Sequence, residues 1–343
     1  MVRIGIIGPG RNDNGYGIGT FIIREILNNS NALLTAIGGT TIQSIKKSIQ
    51  EIENKYSKIP VGTELYPLEI IDRFFSSENI DMVIIASPTP THLNYIELSI
   101  QNNKHVFCEK PLFSFDNIID EKLNYLQGLY KMAEKKGLIL SVNCQRAYIP
   151  VFLAENKLLP ELKSELEIVF SIGAKTGLLP PKELFELCIS HLSSILIKFN
   201  LNNQSKYSIL NIDFNKGNDH HQCVLSFSYL NQKDKLINGK MRIEQSKNVE
   251  LASVKIRTDN SFEAIVSGVK IGADFKTSYR VNNNPEIFSR DLLSISIDKM
   301  VDAVSTPSNA PLLTNNESYC LSTIDSMFWQ SGFSKLSSKN EME

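Results

Sequence analysis

The run Val2-Arg3-Ile4-Gly5-Ile6-Ile7 ends directly at Gly8-Pro9-Gly10, and this junction constrains the fold more than any other stretch of the chain. A nearly continuous apolar run fits a strand covered on both faces. A helix over about Thr20–Asn28 follows the glycines, and a second strand lies near Leu33–Ile37. The alternation continues with a strand at Met82–Ala86, a helix from about His92 to Asn102, a strand at His105–Cys108, a helix over Leu123–Lys136 and a strand at Leu138–Val142. Strands alternating with helical stretches are the signature of βαβ units around a parallel sheet.

After Pro150 the texture changes. Short β-rich runs at 166–172, 207–214, 222–230, 239–245, 251–257 and 262–267 predict an antiparallel sheet, with one long helix around Glu183–Phe199 and closing helices near 289–304 and 316–331. The expected architecture is α/β: an N-terminal doubly wound parallel sheet over 1–150, and a C-terminal α+β domain with a large, mostly antiparallel sheet over 151–343. A chain of 343 residues is long enough for two domains at roughly 100–200 residues each.

Composition narrows the function. Thirty-six Lys and Arg against thirty-seven Asp and Glu leave a formal charge of -1, so no global field gathers nucleic acid or an anionic membrane surface. No stretch approaches the ~20 apolar residues of a membrane helix, and the N-terminal run is too short for a signal-peptide core. The five cysteines are scattered without CxxC spacing, as expected for a reduced, cytoplasmic compartment. His220-His221 has no third ligand at metal spacing, so no metal site is expected.

Gly8-Pro9-Gly10 stands where a Rossmann fold places its phosphate-binding turn, the first glycine permitting the tight turn and the second letting the backbone approach a pyrophosphate. Gly8, Pro9, Gly10 and Arg11 are therefore candidate cofactor-binding residues. Asp13 occupies the place of the third glycine, so the loop through Gly19 reads as enlarged, with Gly17 or Gly19 packing against the helix. Strand two runs out through Ala36-Ile37-Gly38-Gly39-Thr40-Thr41 without the Asp or Glu that accepts from a ribose 2′-hydroxyl in NAD enzymes. Thr40, Thr41 and Ser44 offer donors to a 2′-phosphate, and Lys46 and Lys47 stand one turn on, along what is equally a solvated helix face. The expectation is NADP(H), with NAD(H) as the alternative.

Ala86-Ser87-Pro88-Thr89-Pro90-Thr91-His92 and Lys104-His105-Val106-Phe107-Cys108-Glu109-Lys110-Pro111 fall at the ends of consecutive predicted strands. With these motifs the chain resembles the glucose–fructose oxidoreductase / inositol 2-dehydrogenase (Gfo/Idh/MocA) family. Ligands of open α/β sheets bind beyond the carboxyl ends of the strands, which is where these residues fall. Ser87 and Thr89 are candidate cofactor contacts, and His92 is either a further contact or a cap of the loop at the helix start. The resemblance implies that Glu109 approaches the nicotinamide ribose and that Lys110 faces the substrate carbon exchanging hydride, in proton transfer.

The same resemblance implies a catalytic histidine on the long helix of the second domain. His191 matches it, but Leu187 stands where the family carries an Asp one turn earlier. Glu186 is one place out of register, about 100° around an ideal helix, which leaves Ser190 or Ser194 as weaker orienting partners. In the crossover Val142–Pro150, Gln145 and Arg146 join Lys110 and His191 as candidate substrate-binding residues. The resemblance and these residues together imply an NAD(P)-dependent oxidoreductase moving a hydride to or from a hydroxyl or carbonyl carbon of a sugar-like or nucleotide-sugar substrate, with a homodimer or homotetramer implied by the family. The alternative is a catalytically inactive dinucleotide-binding sensor or regulator of the same fold. A third reading is transient oxidation with no net cofactor consumption.

Overall fold

The computed structural model describes residues 1–10, 17–116, 118–174, 177–201, 203–231, 234–249, 252–259, 261–271 and 274–337. By its contacts the chain divides into two units: Met1–Gln145 with Leu293–Tyr319, and Arg146–Leu292 with the segment from Cys320 onward.

The first unit is built on β1 (Val2–Ile7), α1 (Gly19–Asn28), β2 (Ala32–Gly39), α2 (Ile42–Lys55), β3 (Glu64–Pro67), α3 (Ile71–Ser76), β4 (Met82–Ile85), α4 (His92–Gln101), β5 (His105–Glu109), α5 (Ile119–Lys135) and β6 (Leu140–Asn143). Its six strands are all parallel, in the order β3-β2-β1-β4-β5-β6. In that order β1 lies between β2 and β4, and the change of winding direction there opens a crevice at the carboxyl ends of the strands. All four residues of β4 are buried, which is what a continuous apolar run under helices on both faces predicts, and all four of β6 are buried although Ser141 and Asn143 are polar.

The second unit holds α6 (Tyr148–Glu155), β7 (Glu165–Gly173), α7 (Pro181–Lys198), β8 (Tyr207–Lys216), β9 (His220–Leu230), β10 (Leu236–Ser246), β11 (Ser253–Thr258), β12 (Phe262–Ile271), β13 (Asp274–Val281) and β14 (Ile287–Arg290). These strands form one sheet in the order β14-β13-β12-β11-β7-β10-β9-β8, antiparallel except where β7 and β10 run parallel. α7 packs on β7, β9 and β10. The strictly alternating burial of β10 shows one covered face and one open one. The two-sheet architecture expected from the sequence is therefore observed.

Two closing helices complete the chain, α8 (Leu292–Ser305) and α9 (Asn315–Ser337). The sequence texture assigns both to the second domain. The structure returns α8 to the first unit, where Leu293, Ile297, Met300 and Val301 are buried in one core with Val2, Ile4, Ile6, Ile22 and Met82. Among the described residues, no helix is long and apolar enough to cross a membrane, and no group of three or more His, Cys, Asp or Glu is arranged to hold a metal ion.

Candidate functional site

The candidate residues of the first unit stand on loops at the carboxyl ends of β1, β2, β4, β5 and β6. Gly8 has φ +85°, and a Cβ there would lie 2.6 Å from the Ala86 carbonyl carbon and the Ser87 nitrogen, so only glycine fits between β1 and the β4 loop. A Cβ on Gly19 would come 2.1 Å from the Gly8 carbonyl oxygen. Gly19 is thus the glycine that lets α1 pack against the turn, the task left between it and Gly17 by the sequence. Arg11 and most of the enlarged loop lie outside the described residues.

The residues around this turn fit a pyrophosphate. The first turn of α1 carries no acid, and Thr20 Oγ1 is buried there with no hydrogen-bond partner among the described residues. A helix N-terminus lined by a close backbone and a spare hydroxyl favours an anionic group. At the end of β2, Thr41 caps α2: its hydroxyl accepts from the Ser44 N–H at 3.1 Å, and the Ser44 hydroxyl accepts from the Thr41 N–H at 3.1 Å. Thr40, Thr41, Lys46 and Lys47 are all exposed or partly exposed.

The loop after β4 is braced internally. Thr91 donates to the Pro88 carbonyl at 2.8 Å, and the Ser87 and Thr91 hydroxyls are 2.7 Å apart. Thr89 opens the single 3-10 turn that leads into α4. Of the two readings the sequence leaves for His92, its contacts fit the cap of the loop. It is wholly buried, with Nδ1 2.8 Å from the Pro111 carbonyl and Nε2 2.8 Å from the Ser87 carbonyl, so both ring nitrogens are committed to backbone. It clasps the β4 loop to the β5 loop. Burial holds its pKa below the ordinary value against the pull of the two carbonyls.

Glu109 ends β5, partly buried. Burial pushes its pKa up to about 7, opposed by the adjacent Lys110 charge and by the Asn143 side chain. Asn143, at the end of β6, donates its Nδ2 to Glu109 Oε1 at 2.5 Å and accepts from the Ser296 hydroxyl of α8 at 3.0 Å. Lys110 is partly buried beside it. Gln145 follows β6, its Oε1 buried with no hydrogen-bond partner among the described residues.

In the second unit the structure brings together Arg146 and His191. The Arg146 guanidinium lies 4.2 Å from the centroid of Phe170, and the same ring meets the His191 imidazole edge-to-face at 5.8 Å. Phe170 is a residue that sequence reasoning missed, one apolar position of β7 among several. His191 itself is 8% exposed, on the stretch of α7 that is buried from Cys188 through Ile197. Of the two serines considered as its orienting partners, Ser194 donates to the His191 backbone carbonyl at 2.8 Å, and Ser190 donates to Asp325 at 2.6 Å. Leu187 is exposed at 36%, and the Glu186 carboxyl is pushed up by burial. The carboxylate beside this part of α7 comes instead from Asp325 of α9, 1% exposed and distant in sequence. A lone acid within the otherwise apolar and serine-rich stretch Cys320–Trp329 was the signal available.

Comparison with known proteins agrees with the geometry. Residues 2–144 match the Gfo/Idh/MocA family, described as an oxidoreductase family with an NAD-binding Rossmann fold. Inositol 2-dehydrogenase of Rhizobium meliloti is 27% identical over 181 residues, 52% of this chain and 47% of that protein, so the match spans about half of the relative's length. The fold of UDP-N-acetylglucosamine 3-dehydrogenase from Acidithiobacillus ferrooxidans superimposes with a TM-score of 0.67 at 13% identity, over 98% of this chain and 99% of that one. A 3-ketoreductase from Actinomadura kijaniata, solved with TDP-benzene and NADP, superimposes with a TM-score of 0.66 at 12% identity, over 96% of this chain and 98% of that one. A glycine turn that admits no side chain, the Glu109-Lys110-Pro111 loop two strands away and the matched residues 2–144 lead to one conclusion: residues 2–144 are similar to the NAD-binding Rossmann domain of the Gfo/Idh/MocA oxidoreductases.

Proposed function

We propose that the protein is an NAD(P)(H)-dependent oxidoreductase acting on a hydroxyl or carbonyl carbon of a sugar-like or nucleotide-sugar substrate. The observation that carries this reading is the assembly of Gly8, Ser87 and Glu109-Lys110 at the carboxyl ends of adjacent strands in one parallel sheet, beside a buried Thr20 hydroxyl that has no hydrogen-bond partner among the described residues. Gly8, Pro9, Gly10, Thr20, Ser87 and Thr89 would hold the dinucleotide, which when bound accepts or supplies a hydride at its nicotinamide ring.

The chain's own residues supply orientation and the proton. Lys110, at the end of β5, is the proton-handling residue of the first unit; a cation there also stabilises negative charge developing on a substrate oxygen. His191 is the proton-handling residue of the second unit, and Arg146, held over Phe170, is a donor to substrate hydroxyls. Polyhydroxylated compounds suit such a set of donors, and the relatives named for inositol and for a nucleotide sugar support that class. NADP(H) is the favoured cofactor, because β2 ends in Gly38-Gly39-Thr40-Thr41 without a carboxylate to repel a 2′-phosphate, and exposed Lys46 and Lys47 lie just beyond. The same fold holds NADP in the A. kijaniata ketoreductase.

The test is Lys110→Ala assayed against a panel of sugar alcohols, ketoses and nucleotide sugars. Turnover should fall by about 10²–10⁴-fold while NADPH binding, followed by nicotinamide fluorescence, stays within about threefold. Full activity in the variant would remove Lys110 from the mechanism. Tighter binding of NADH than NADPH would overturn the cofactor preference. The exposed Leu187 in place of an acid favours one second reading, a dinucleotide-binding regulator, against which any turnover on that panel would decide.

A further inference from the structure

The bonds Ser296 Oγ–H to Asn143 Oδ1 and Asn143 Nδ2–H to Glu109 Oε1 form an inner relay of three side chains in the first unit, from α8 through β6 to β5. Ser296 is 1% exposed and Asn143 3% exposed, so neither side chain reaches water for a replacement partner. When Glu109 is ionised, chemistry fixes the direction of the relay. A carboxylate only accepts, which turns the Asn143 amide nitrogen toward Glu109 and its oxygen toward Ser296, where a hydroxyl must donate. Removing either donor leaves a buried acceptor unsatisfied.

We propose that Ser296 and Asn143 are positioning residues that hold Glu109 ionised and oriented as an acceptor in the dinucleotide site, so that dinucleotide binding is linked to a proton at Glu109. This inference rests on the dinucleotide reading above. Among the described residues, few groups act on the carboxyl. Lys110 succeeds it on the loop and favours the carboxylate. Cys108 precedes it on β5, and burial raises that thiol well above its ordinary range, which leaves it neutral. Asn143 and, behind it, Ser296 contribute donors without charge. Burial alone opposes all of them, and the balance leaves the carboxyl titrating at about 7. Only the ionised form accepts a hydrogen bond from a hydroxyl of a bound dinucleotide at full strength, so binding at neutral pH expels the proton to solvent from the fraction of sites that hold it.

Two measurements on the full chain and its variants test this. The first is the dissociation constant of NADPH, and of NADH, between pH 5.5 and 9 by nicotinamide fluorescence. Wild-type binding should weaken about tenfold from pH 8 to pH 6. In Asn143→Ala the midpoint should move upward by about one pH unit, so that binding is about fivefold weaker than wild type at pH 7 and converges on it above pH 8.5. Ser296→Ala should move the midpoint the same way by less, Ser296→Thr should restore it, and Glu109→Gln should show no midpoint. A purely structural role would weaken binding equally at every pH. The second measurement needs no ligand: thermal stability of wild type, Glu109→Gln and Ser296→Ala from pH 5 to 8.5. With a folded value of about 7 above the ordinary carboxylate value, protonated Glu109 favours the folded state. That stability is lost as pH rises toward and through 7 in wild type, and Glu109→Gln should lack this fall. Variant midpoints equal to wild type, or a wild-type stability profile unchanged by Glu109→Gln, would overturn the relay. Absence of dinucleotide binding at every pH, with the stability profile as expected, would overturn the dinucleotide reading and the linkage drawn from it, while the relay's hold on Glu109 would stand.

Discussion

At the scale of single residues, the site is held by polar groups buried far from water, and their partners decide what each can do. His92 is the clearest case. A neutral imidazole has one N–H, yet two backbone carbonyls face its two nitrogens at 2.8 Å. Its work is to bind the Ser87 end of one loop to the Pro111 end of the other, so that the residues between them, including Lys110, are presented from fixed backbone. His92→Phe fills similar space and removes both polar contacts. It should raise the dinucleotide dissociation constant about tenfold, the worth of one to two buried hydrogen bonds, while leaving the far-ultraviolet circular dichroism of the protein unchanged. Titration of the purified variant with NADPH checks this, and wild-type affinity would show that the loops hold their places without the clasp. The sequence places His92 at a helix start after a proline-rich turn and goes no further, since the Pro111 carbonyl is nineteen residues away and meets it only through the pairing of β4 with β5.

At the scale of elements, what was legible derives from local periodicity, and what was hidden depends on long-range pairing. The strand–glycine–helix opening is readable because the apolar run of β1, the φ > 0 turn at Gly8 and the start of α1 lie close together in the chain. β3, β13 and β14 carry no comparable signal: two of them have four residues, and β14 alternates between intermediate and exposed positions. The relay on Glu109 and the Ser190–Asp325 bond join residues 153 and 135 apart in sequence, which no spacing rule can find. The edge of the parallel sheet shows the same physics. β6 is the last strand, and an uncovered edge leaves a row of backbone groups without partners. Here side chains stand in for a seventh strand. Asn315 donates to the Leu138 carbonyl at 3.1 Å and accepts from the Leu140 N–H at 2.9 Å, while Ser318 accepts from the Val142 N–H at 3.2 Å. Asn315→Ala should destabilise the protein by about 1–3 kcal/mol, by leaving two backbone groups at this edge unsatisfied, with Asn315→Asp retaining the bond from Leu140 and losing less. Urea unfolding at pH 7.5 measures both, and equal stability of Asn315→Ala and wild type would mean that water replaces the side chain at this edge.

At the scale of the whole molecule, the first unit is not a contiguous piece of chain. Its core closes only when α8 returns after the entire second sheet, with Leu293, Ile297, Met300 and Val301 at 5% exposure or less against strands and helices from the first hundred or so residues. The change of texture near residue 150 marks where the antiparallel sheet begins, and it carries no information about this return, because an amphipathic helix does not state which sheet its apolar face will cover. Burial of those four side chains contributes roughly 6–12 kcal/mol at about 1.5–3 kcal/mol each, which is as large as the whole net stability of a typical domain, about 5–15 kcal/mol. The Asn315 and Ser318 contacts to the β6 edge and the Ser296 bond to Asn143 are lost with the same segment. A fragment of residues 1–145 should therefore fail to unfold cooperatively in urea or on heating and should bind NADPH at least roughly a hundredfold more weakly than the full chain, because Glu109 loses the relay and β6 its edge. Adding a synthetic peptide of residues 290–320 in excess should restore part of the transition. A fragment that unfolds with a sharp transition and binds like the full chain would show that the parallel sheet is complete without α8, and that the returning helix serves the second unit's connection and not the first unit's core.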